Sequence, residues 1–99
     1  MDEKIMTIHP KDKRGVNIAR QKYDTIRTAI IKSLKSRRLT HTELIQEVRK
    51  HLSYSFDGSV AWYVEAVKQD LEARHEIERF GYGRNKSAYR LISEEPAVL

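Results

Sequence analysis

Apolar side chains recur at helical spacing between Gly58 and Arg74. The repeating positions are Val60, Val64, Val67 and Leu71. This spacing places all four on one stripe of a helix, which is typical of a helix that is buried along one side. Asp57 or Ser59 can cap its first turn. The pattern therefore predicts a helix over residues 58–74, followed by His75 at a position where a left-handed residue is common.

Two further helices are predicted before this one. Residues 19–36 place Ala19, Tyr23, Ile26, Ile30 and Leu34 on one face, and residues 40–52 do the same with Leu44, Ile45, Val48 and Leu52. The second helix opens on a capping box, in which the Thr40 hydroxyl accepts from the Glu43 backbone N–H and the Glu43 carboxylate accepts from that of Thr40. Between these helices, the run Arg37–Leu39 is too short for a helix and is interpreted as a three-residue strand.

Strand patterns occupy both ends of the chain. Residues 76–92 contain two apolar runs around the sequence GYGRNK, which predicts a β-hairpin with Ile77, Tyr89 and Leu91 facing inward. Lys4–Ile8 and Val16–Ile18 are also β-prone, and a turn-rich basic connector separates them. An N-terminal hairpin and an extended arm are both compatible with this segment.

Length and composition are those of one small globular domain. The chain has 99 residues, of which 39% are hydrophobic and 33% are charged. We expect an N-terminal arm or hairpin over residues 1–18, a main domain over 19–92 and a frayed tail over 93–99. No apolar run is long enough for a membrane span, no signal-peptide core is present, and there is no cysteine. These features agree with a cytoplasmic protein.

Basic residues are concentrated in two parts of the chain. The net charge is +5, but residues 11–38 carry ten Lys and Arg against two Asp, and residues 79–92 carry four against none. Residues 39–78 carry eight acidic side chains against four basic ones. Any cationic surface therefore belongs to the N-terminal third and the C-terminal hairpin, whereas the second and third helices are acidic.

The order of these elements over Tyr23–Ile92 resembles the winged helix–turn–helix superfamily of bacterial and archaeal transcription regulators. The segment VKQDLEARHEIERF is similar to the junction between the third helix and the hairpin, or wing, of that superfamily. The segments IHP, KRGVNI, KYDTIRTAI, LTHTEL and WYVEAVKQDLEAR are similar to those of a family of short, uncharacterised prokaryotic winged-helix proteins. The resemblance implies a mainly α fold with a small β component, and nucleic-acid binding as the expected activity.

Two groups of residues are candidates for contacting nucleic acid. In the hairpin tip, the basic and aromatic side chains on a Gly-flexible turn can lie across a phosphate backbone or probe the minor groove. These residues are Tyr82, Arg84, Asn85 and Lys86. A second basic contact can come from Lys11, Lys13, Arg14, Arg20, Lys22, Arg37 and Arg38. An ordinary solvated turn is the alternative interpretation of the tip.

The outer face of the third helix is a weaker candidate for reading bases. Gln69 on that face can pair with adenine, and Glu65 can accept from cytosine. However, no Lys or Arg stands at its centre, although phosphate neutralisation supplies much of the affinity for DNA. Insertion of this helix into the major groove is therefore doubtful.

Trp62 and Ala66 on the same outer face are candidates for an interface. A large aromatic side chain at this position needs cover, which can come from the N-terminal segment folding back or from a second copy of the chain. The Trp62 ring can instead stack on a nucleic-acid base, or it can be exposed to solvent without a role.

No pattern for metal binding, cofactor binding or catalysis is found. His9, His41, His51 and His75 are not spaced as metal ligands. We therefore expect a non-enzymatic DNA-binding module without a cofactor, a metal, a membrane contact or a small-molecule ligand. The alternative is a protein–protein interaction or homodimerisation module that uses the surface of the second and third helices around Trp62.

Overall fold

The computed structural model describes residues 3–11, 15–35, 37–52, 56–81, 83–84 and 86–92. It contains three helices and two small antiparallel sheets. The elements in chain order are β1 (Lys4–Met6), β2 (Asn17–Ala19), α1 (Arg20–Leu34), α2 (His41–His51), α3 (Val60–Ala73), β3 (Ile77–Gly81) and β4 (Ser87–Leu91). The domain is thus a mixed α/β structure, and the expected frayed tail, residues 93–99, lies outside the described residues.

The hydrophobic core lies where the three helices meet. Each helix buries the stripe that its periodicity predicts, because apolar positions three and four apart fall on one side of a helix. The fully buried apolar side chains are Ile26, Ile30, Leu44, Val48, Val64, Val67 and Leu71, and Ile77 and Tyr89 of the C-terminal hairpin join them. Tyr63, Phe56 and Val60 pack against this core from its edge.

Local side-chain hydrogen bonds mark where α2 and α3 begin, whereas α1 begins after Ala19 without a side-chain cap. The predicted capping box of α2 is present, with 3.2 Å from Glu43 N to Thr40 Oγ1 and 2.9 Å from Thr40 N to Glu43 Oε1. Of the two candidate caps for α3, Ser59 is the one that acts, since its hydroxyl accepts from Trp62 N at 3.2 Å. The starts of α2 and α3 are therefore encoded by residues within the first turn.

The end of α3 turns the chain into the C-terminal hairpin. His75 has φ of 64°, in the left-handed region. The N–H groups of His75 and Glu76 donate to the carbonyls of Glu72 and Leu71 at 3.1 and 2.9 Å. This pattern is a Schellman motif, in which the left-handed residue lets the chain satisfy the last helical carbonyls and reverse direction.

The segment between α1 and α2 forms one β-bridge with the C-terminal hairpin. In the hairpin, Ile77 pairs with Leu91 and Arg79 with Tyr89. Leu39 then forms an antiparallel bridge with Tyr89, with two backbone hydrogen bonds of 2.8 and 3.2 Å. The predicted strand at residues 37–39 is therefore a single bridge, which attaches the α1–α2 connection to the outer edge of β4.

The N-terminal segment forms a hairpin, one of the two conformations that the sequence allows. Ile5 pairs with Ile18, and Thr7 N donates to Val16 O at 2.9 Å. Gly15 lies so close to Thr7 that an added Cβ would come within 1.8 Å of its carbonyl oxygen. Only glycine fits there, so the hairpin depends on this residue. Ile18 is buried in the core, which anchors the hairpin to the helices.

Candidate functional site

Two arginines lie opposite each other on the outer face of the C-terminal sheet. The Leu39–Tyr89 bridge is antiparallel, so the register places Arg38 across from Arg90. Arg90 in turn pairs with Glu78 of β3, and its Nε lies 2.5 Å from Glu78 Oε2. Directly opposed side chains on neighbouring strands have Cβ atoms about 5 Å apart, and like charges at that spacing destabilise a sheet.

An aromatic ring holds both guanidinium groups in place. Arg38 and Arg90 lie 5.6 and 4.8 Å from the ring centroid of Phe80. Guanidinium groups are attracted to the face of an aromatic ring, which restricts their motion. The Nε–H of Arg90 is donated to Glu78, whereas Arg38 donates to no carboxylate among the ion pairs of the described residues. Phe80 thus organises a pair of cations on this face.

A concave surface opens beside these arginines. A concavity of about 310 Å³ is lined by Arg37, Arg38, Arg90 and the apolar Leu34 and Leu91. A second concavity, of about 210 Å³, lies on the other side of Arg38 and contains Phe80 and Thr40. We call the surface formed by Arg37, Arg38, Phe80 and Arg90 the arginine face.

The cations of the molecule differ in whether a carboxylate neutralises them. Arg20 and Lys22 lie within 3.7 Å of Asp24 and Asp57, and Arg37 lies 3.4 Å from Glu47. Among the ion pairs of the described residues, none includes Arg38, Arg84 or Lys86. The described cations outside these ion pairs therefore include Arg38 and the hairpin residues Arg84 and Lys86. Lys4, Lys11, Lys32, Lys35 and Arg49 are outside them as well.

The predicted tip residues lie at the end of the same hairpin. Arg84 and Lys86 are exposed in the turn between β3 and β4. Side chains alternate between the two sides of a strand, so Lys86 is on the same side as Ala88 and Arg90. This is the side of the arginine face. Tyr82 and Asn85 lie outside the described residues. The structure brings Arg37, Arg38 and the tip cations to one sheet.

The loop end of the N-terminal hairpin lies beside the outer side of α3. Trp62, Ala66 and Gln69 line a groove of about 120 Å³ together with Ile8 and other residues of the hairpin. Ala66 is buried, whereas Trp62 is 47% exposed. The Trp62 ring packs edge-on against the Tyr63 ring, with 4.9 Å between the ring centroids. The Gln69 amide donates to Glu65 at 2.5 Å, within the same helix. Gln69 therefore lies apart from the arginine face, and its donor is engaged.

A buried lysine lies behind the sheet, on the side opposite the arginines. Lys68 is only 4% exposed, and its ammonium group donates to Glu65, Tyr89 and His41 at 3.1, 3.0 and 3.2 Å. The three N–H donors of the ammonium group thus meet three acceptors, and Lys68 Nζ lies 4.4 Å from the centroid of the Tyr89 ring. Burial, followed by the Lys68 charge, lowers the pKa of His41, while Glu65 opposes this shift. The network connects α2, α3 and β4.

A second buried charge, on Asp70, connects α3 to α1 and the N-terminal hairpin. Asp70 accepts hydrogen bonds from the Tyr23 hydroxyl, from Ile8 N at 2.7 Å and from Arg74 Nε at 2.8 Å. Burial first, and then the bond to Asp70, raise the pKa of Tyr23 well above its ordinary range. Since all of these partners are protein groups, this cluster has a structural role.

The four histidines are dispersed over the structure. His9 lies on the N-terminal hairpin, His41 and His51 at opposite ends of α2, and His75 after α3. Within the described ranges no group of three His, Asp or Glu side chains could hold a metal ion. Likewise, no described helix has the length and apolarity needed to cross a membrane.

Sequence reasoning did not single out Arg90 or Phe80 as site residues. Both belong to the arginine face, and Arg90 entered only the charge total of the C-terminal hairpin. Strand alternation could have identified them, because it places Lys86 and Arg90 on one side of β4 and Glu78 and Phe80 on one side of β3. The pairing with Arg38, however, depends on a bridge between segments far apart in the chain.

The fold and the arginine face together define a small α/β domain with a cationic sheet surface. The chain belongs to the Family of unknown function (DUF6958), whose family model matches residues 4–87. No curated protein and no solved structure matches the chain. Family membership thus brings no activity with it, and function has to be argued from the site itself.

Proposed function

We propose that this chain is a winged-helix nucleic-acid-binding protein that contacts the phosphate backbone through its arginine face and hairpin tip. The order of helix, bridging strand, two helices and hairpin supports the winged-helix assignment. In this arrangement β3 and β4 form the wing. The proposal concerns a binding function, with no chemical step assigned to the protein.

The observation that carries the proposal is the opposed pair Arg38 and Arg90 above Phe80. Like charges at cross-strand distance repel each other, and Glu78 already neutralises Arg90, so Arg38 is the member of the pair that is in none of the ion pairs among the described residues. Guanidinium groups bind phosphate through two parallel N–H donors, which makes arginine the preferred residue for this purpose. A phosphate bound at Arg38 would give that guanidinium an anionic partner, which supports an anionic ligand at this face.

The length of the cationic surface favours a polymer over a single phosphate. Arg90 and Lys86 are four residues apart on an extended strand, which corresponds to about 13 Å. Each DNA strand carries one phosphate per about 3.4 Å of helix axis, so this distance spans several phosphates. Arg84 extends the surface further into the tip. Repeated phosphate contacts of this kind supply most of non-specific affinity.

The position of the N-terminal hairpin indicates the mode of binding. In helix–turn–helix proteins the recognition helix enters the major groove with its outer face. Here the loop end of the hairpin lies across a groove from that side of α3, which limits access to it, and Gln69 is hydrogen-bonded to Glu65. Contacts to phosphates position a protein but carry no sequence information. The proposed binding is therefore largely independent of base sequence.

Fluorescence anisotropy of a labelled random DNA duplex over a series of salt concentrations tests the proposal. Arg38→Gln removes a cation that none of the ion pairs among the described residues includes, so the fold should be kept. We expect weaker binding on every sequence and a log–log salt slope reduced by about 1, because one phosphate contact is lost. Arg84→Ala with Lys86→Ala should reduce the slope by about 2.

Arg49→Gln is the matched control. It removes the same charge from the exposed surface of α2, away from the arginine face. A salt slope equal to that of the unmodified protein is expected for it. If Arg49→Gln and Arg38→Gln weakened binding equally, only net charge would matter. Absence of binding at low salt would overturn the proposal.

A further inference from the structure

Three charged residues form a row across the strands of the arginine face. Arg90 of β4 lies between Glu78, its partner on β3, and Arg38 on the segment that bridges to Tyr89. The charges along this row are negative, positive and positive. Glu78 therefore decides how much of the Arg90 charge is available to a ligand.

Glu78 occupies a donor of Arg90 that a phosphate would use. The Glu78 carboxylate accepts from Arg90 Nε at 2.5 Å, and the guanidinium carbon of Arg90 lies 4.8 Å from the centroid of the Phe80 ring. Carboxylates and phosphates bind a guanidinium group through the same parallel N–H donors. A phosphate that takes the Nε donor must displace the carboxylate, so the two anions compete for one site.

The ion pair between Glu78 and Arg90 is open to such an exchange. Their side chains are 43% and 42% exposed. Exposed ion pairs contribute little to folding, because solvent screens them, so this pair can be broken while the domain stays folded. The ion pair of Asp70 with Arg74 is different, since that carboxylate is fully buried and also accepts from Tyr23 and Ile8.

An intramolecular competitor discriminates against small ligands. Glu78 is attached to the same sheet as Arg90, so it acts at an effective concentration on the order of millimolar or more. A free phosphate ion has to exceed that concentration to displace it. A nucleic-acid strand that is already held by Arg38 and Lys86 presents its next phosphate to Arg90 at a comparable effective concentration. Displacement is therefore favoured for a polymer and disfavoured for a single anion.

We infer that Glu78 is a built-in competitor for phosphate at Arg90, which makes the arginine face selective for nucleic-acid polymers over single phosphates. This inference rests on the proposed function, because it concerns the ligand class of the same surface. Glu78 also limits the affinity for the polymer, since its negative charge stays beside the bound strand.

Glu78→Gln tests the inference, because it keeps the size of the side chain and removes its charge. On a labelled random duplex we expect tighter binding at low salt and a log–log salt slope steeper by about 1, since Arg90 becomes a further phosphate contact. Such a slope adds about a fourfold loss of affinity between about 50 and 200 mM salt. Circular dichroism verifies that the variant is folded.

Glu72→Gln is the matched control, because it removes the same charge away from the arginine face. Glu72 is on α3 and lies 4.0 Å from Arg79. Strand alternation places Arg79 on the opposite side of β3 from Glu78 and Phe80. A salt slope equal to that of the unmodified protein is expected for this variant.

Inorganic phosphate tests the selectivity without nucleic acid. The NMR signal of the Arg90 Nε–H group, assigned by its loss in Arg90→Lys, reports the partner of that donor. In the unmodified protein we expect about 1 mM phosphate to leave this signal in place, because Glu78 holds the donor. In Glu78→Gln the same concentration should shift it.

Three results would each overturn the inference and leave the proposed function intact. They are unchanged or weaker duplex binding by Glu78→Gln, an equal gain in Glu72→Gln, and a phosphate-induced shift of the Arg90 signal that is as large in the unmodified protein as in Glu78→Gln. If the unmodified protein does not bind the duplex at low salt, the proposed function fails, and the inference that rests on it fails as well.

Discussion

The backbone N–H of Ile8 donates a 2.7 Å hydrogen bond to the carboxylate of Asp70, a residue 62 positions further along the chain. Asp70 has no exposed surface, and it also accepts from Tyr23 and Arg74. One buried charge therefore holds the N-terminal hairpin against α3 and α3 against α1. This contact explains why the loop end of the hairpin lies beside the outer side of α3.

Asp70→Asn should destabilise the fold by about 2–3 kcal/mol. The replacement keeps the size of the side chain and an acceptor for Ile8, but its amide donors would meet the Tyr23 hydroxyl and the Arg74 guanidinium. Charged hydrogen bonds of this kind contribute about 1.5–3 kcal/mol, and the contribution of the partly exposed Arg74 is reduced by solvent. Urea unfolding followed by circular dichroism measures the change.

Tyr23→Phe is the companion variant for the same cluster. It removes one donor and leaves Asp70 bonded to Ile8 and Arg74, so a smaller loss of about 1–2 kcal/mol is expected. If Asp70→Asn unfolded at the same urea concentration as the unmodified protein, the charge of Asp70 would have no stabilising role. A Tyr23→Phe loss larger than that of Asp70→Asn would show that the Tyr23 hydroxyl, and not the charge of Asp70, is the main stabilising group of this cluster.

The free energy of unfolding should decrease as the pH falls from 7 towards 5, and His41 should contribute to this decrease. Burial and the Lys68 charge lower the pKa of His41 in the folded protein. The unfolded chain therefore binds the proton more tightly, and stability is lost as pH falls below the ordinary histidine pKa of about 6.5. Urea unfolding at a series of pH values measures the slope.

His41→Gln should flatten this part of the pH dependence. The glutamine oxygen can accept from Lys68 but does not titrate. His51→Gln, at the other end of α2, controls for the loss of a histidine as such. An unchanged slope in His41→Gln, or equal changes in both variants, would show that the contact between His41 and Lys68 is not the source of the effect.

His75→Gly should stabilise the protein by up to about 1 kcal/mol. His75 has a φ of 64°, which costs an L-residue about 1–2 kcal/mol relative to glycine. Part of this gain is lost because glycine has more freedom in the unfolded chain. His75→Ala keeps the unfavourable conformation and should not stabilise. Thermal unfolding of the two variants tests the prediction, and an equal effect of both would contradict it.

The helices could be predicted closely from the sequence because their signals are local. The predicted ranges 19–36, 40–52 and 58–74 compare with observed helices at Arg20–Leu34, His41–His51 and Val60–Ala73. The capping box is formed by residues three positions apart, so no distant contact is needed to recognise it. The left-handed conformation of His75 follows likewise from its position after α3.

The buried charges could not be predicted from the same patterns. Lys68 and Asp70 interrupt the apolar stripe of α3 and would ordinarily face solvent. They are buried because their partners Tyr89 and Tyr23 arrive from other elements. Whether a charge can be buried depends on such partners, and these lie 21 and 47 positions away in the chain.

The sequence by itself determined the order of the elements, the caps, the apolar stripes and the placement of basic residues at the C-terminal hairpin. These properties depend on neighbours within a few positions. Only the tertiary structure decided that Arg38 meets Arg90 above Phe80, and that the loop end of the N-terminal hairpin lies beside the outer side of α3. Such relationships require contacts between distant segments, and the free energy of those contacts depends on the packing of the whole domain.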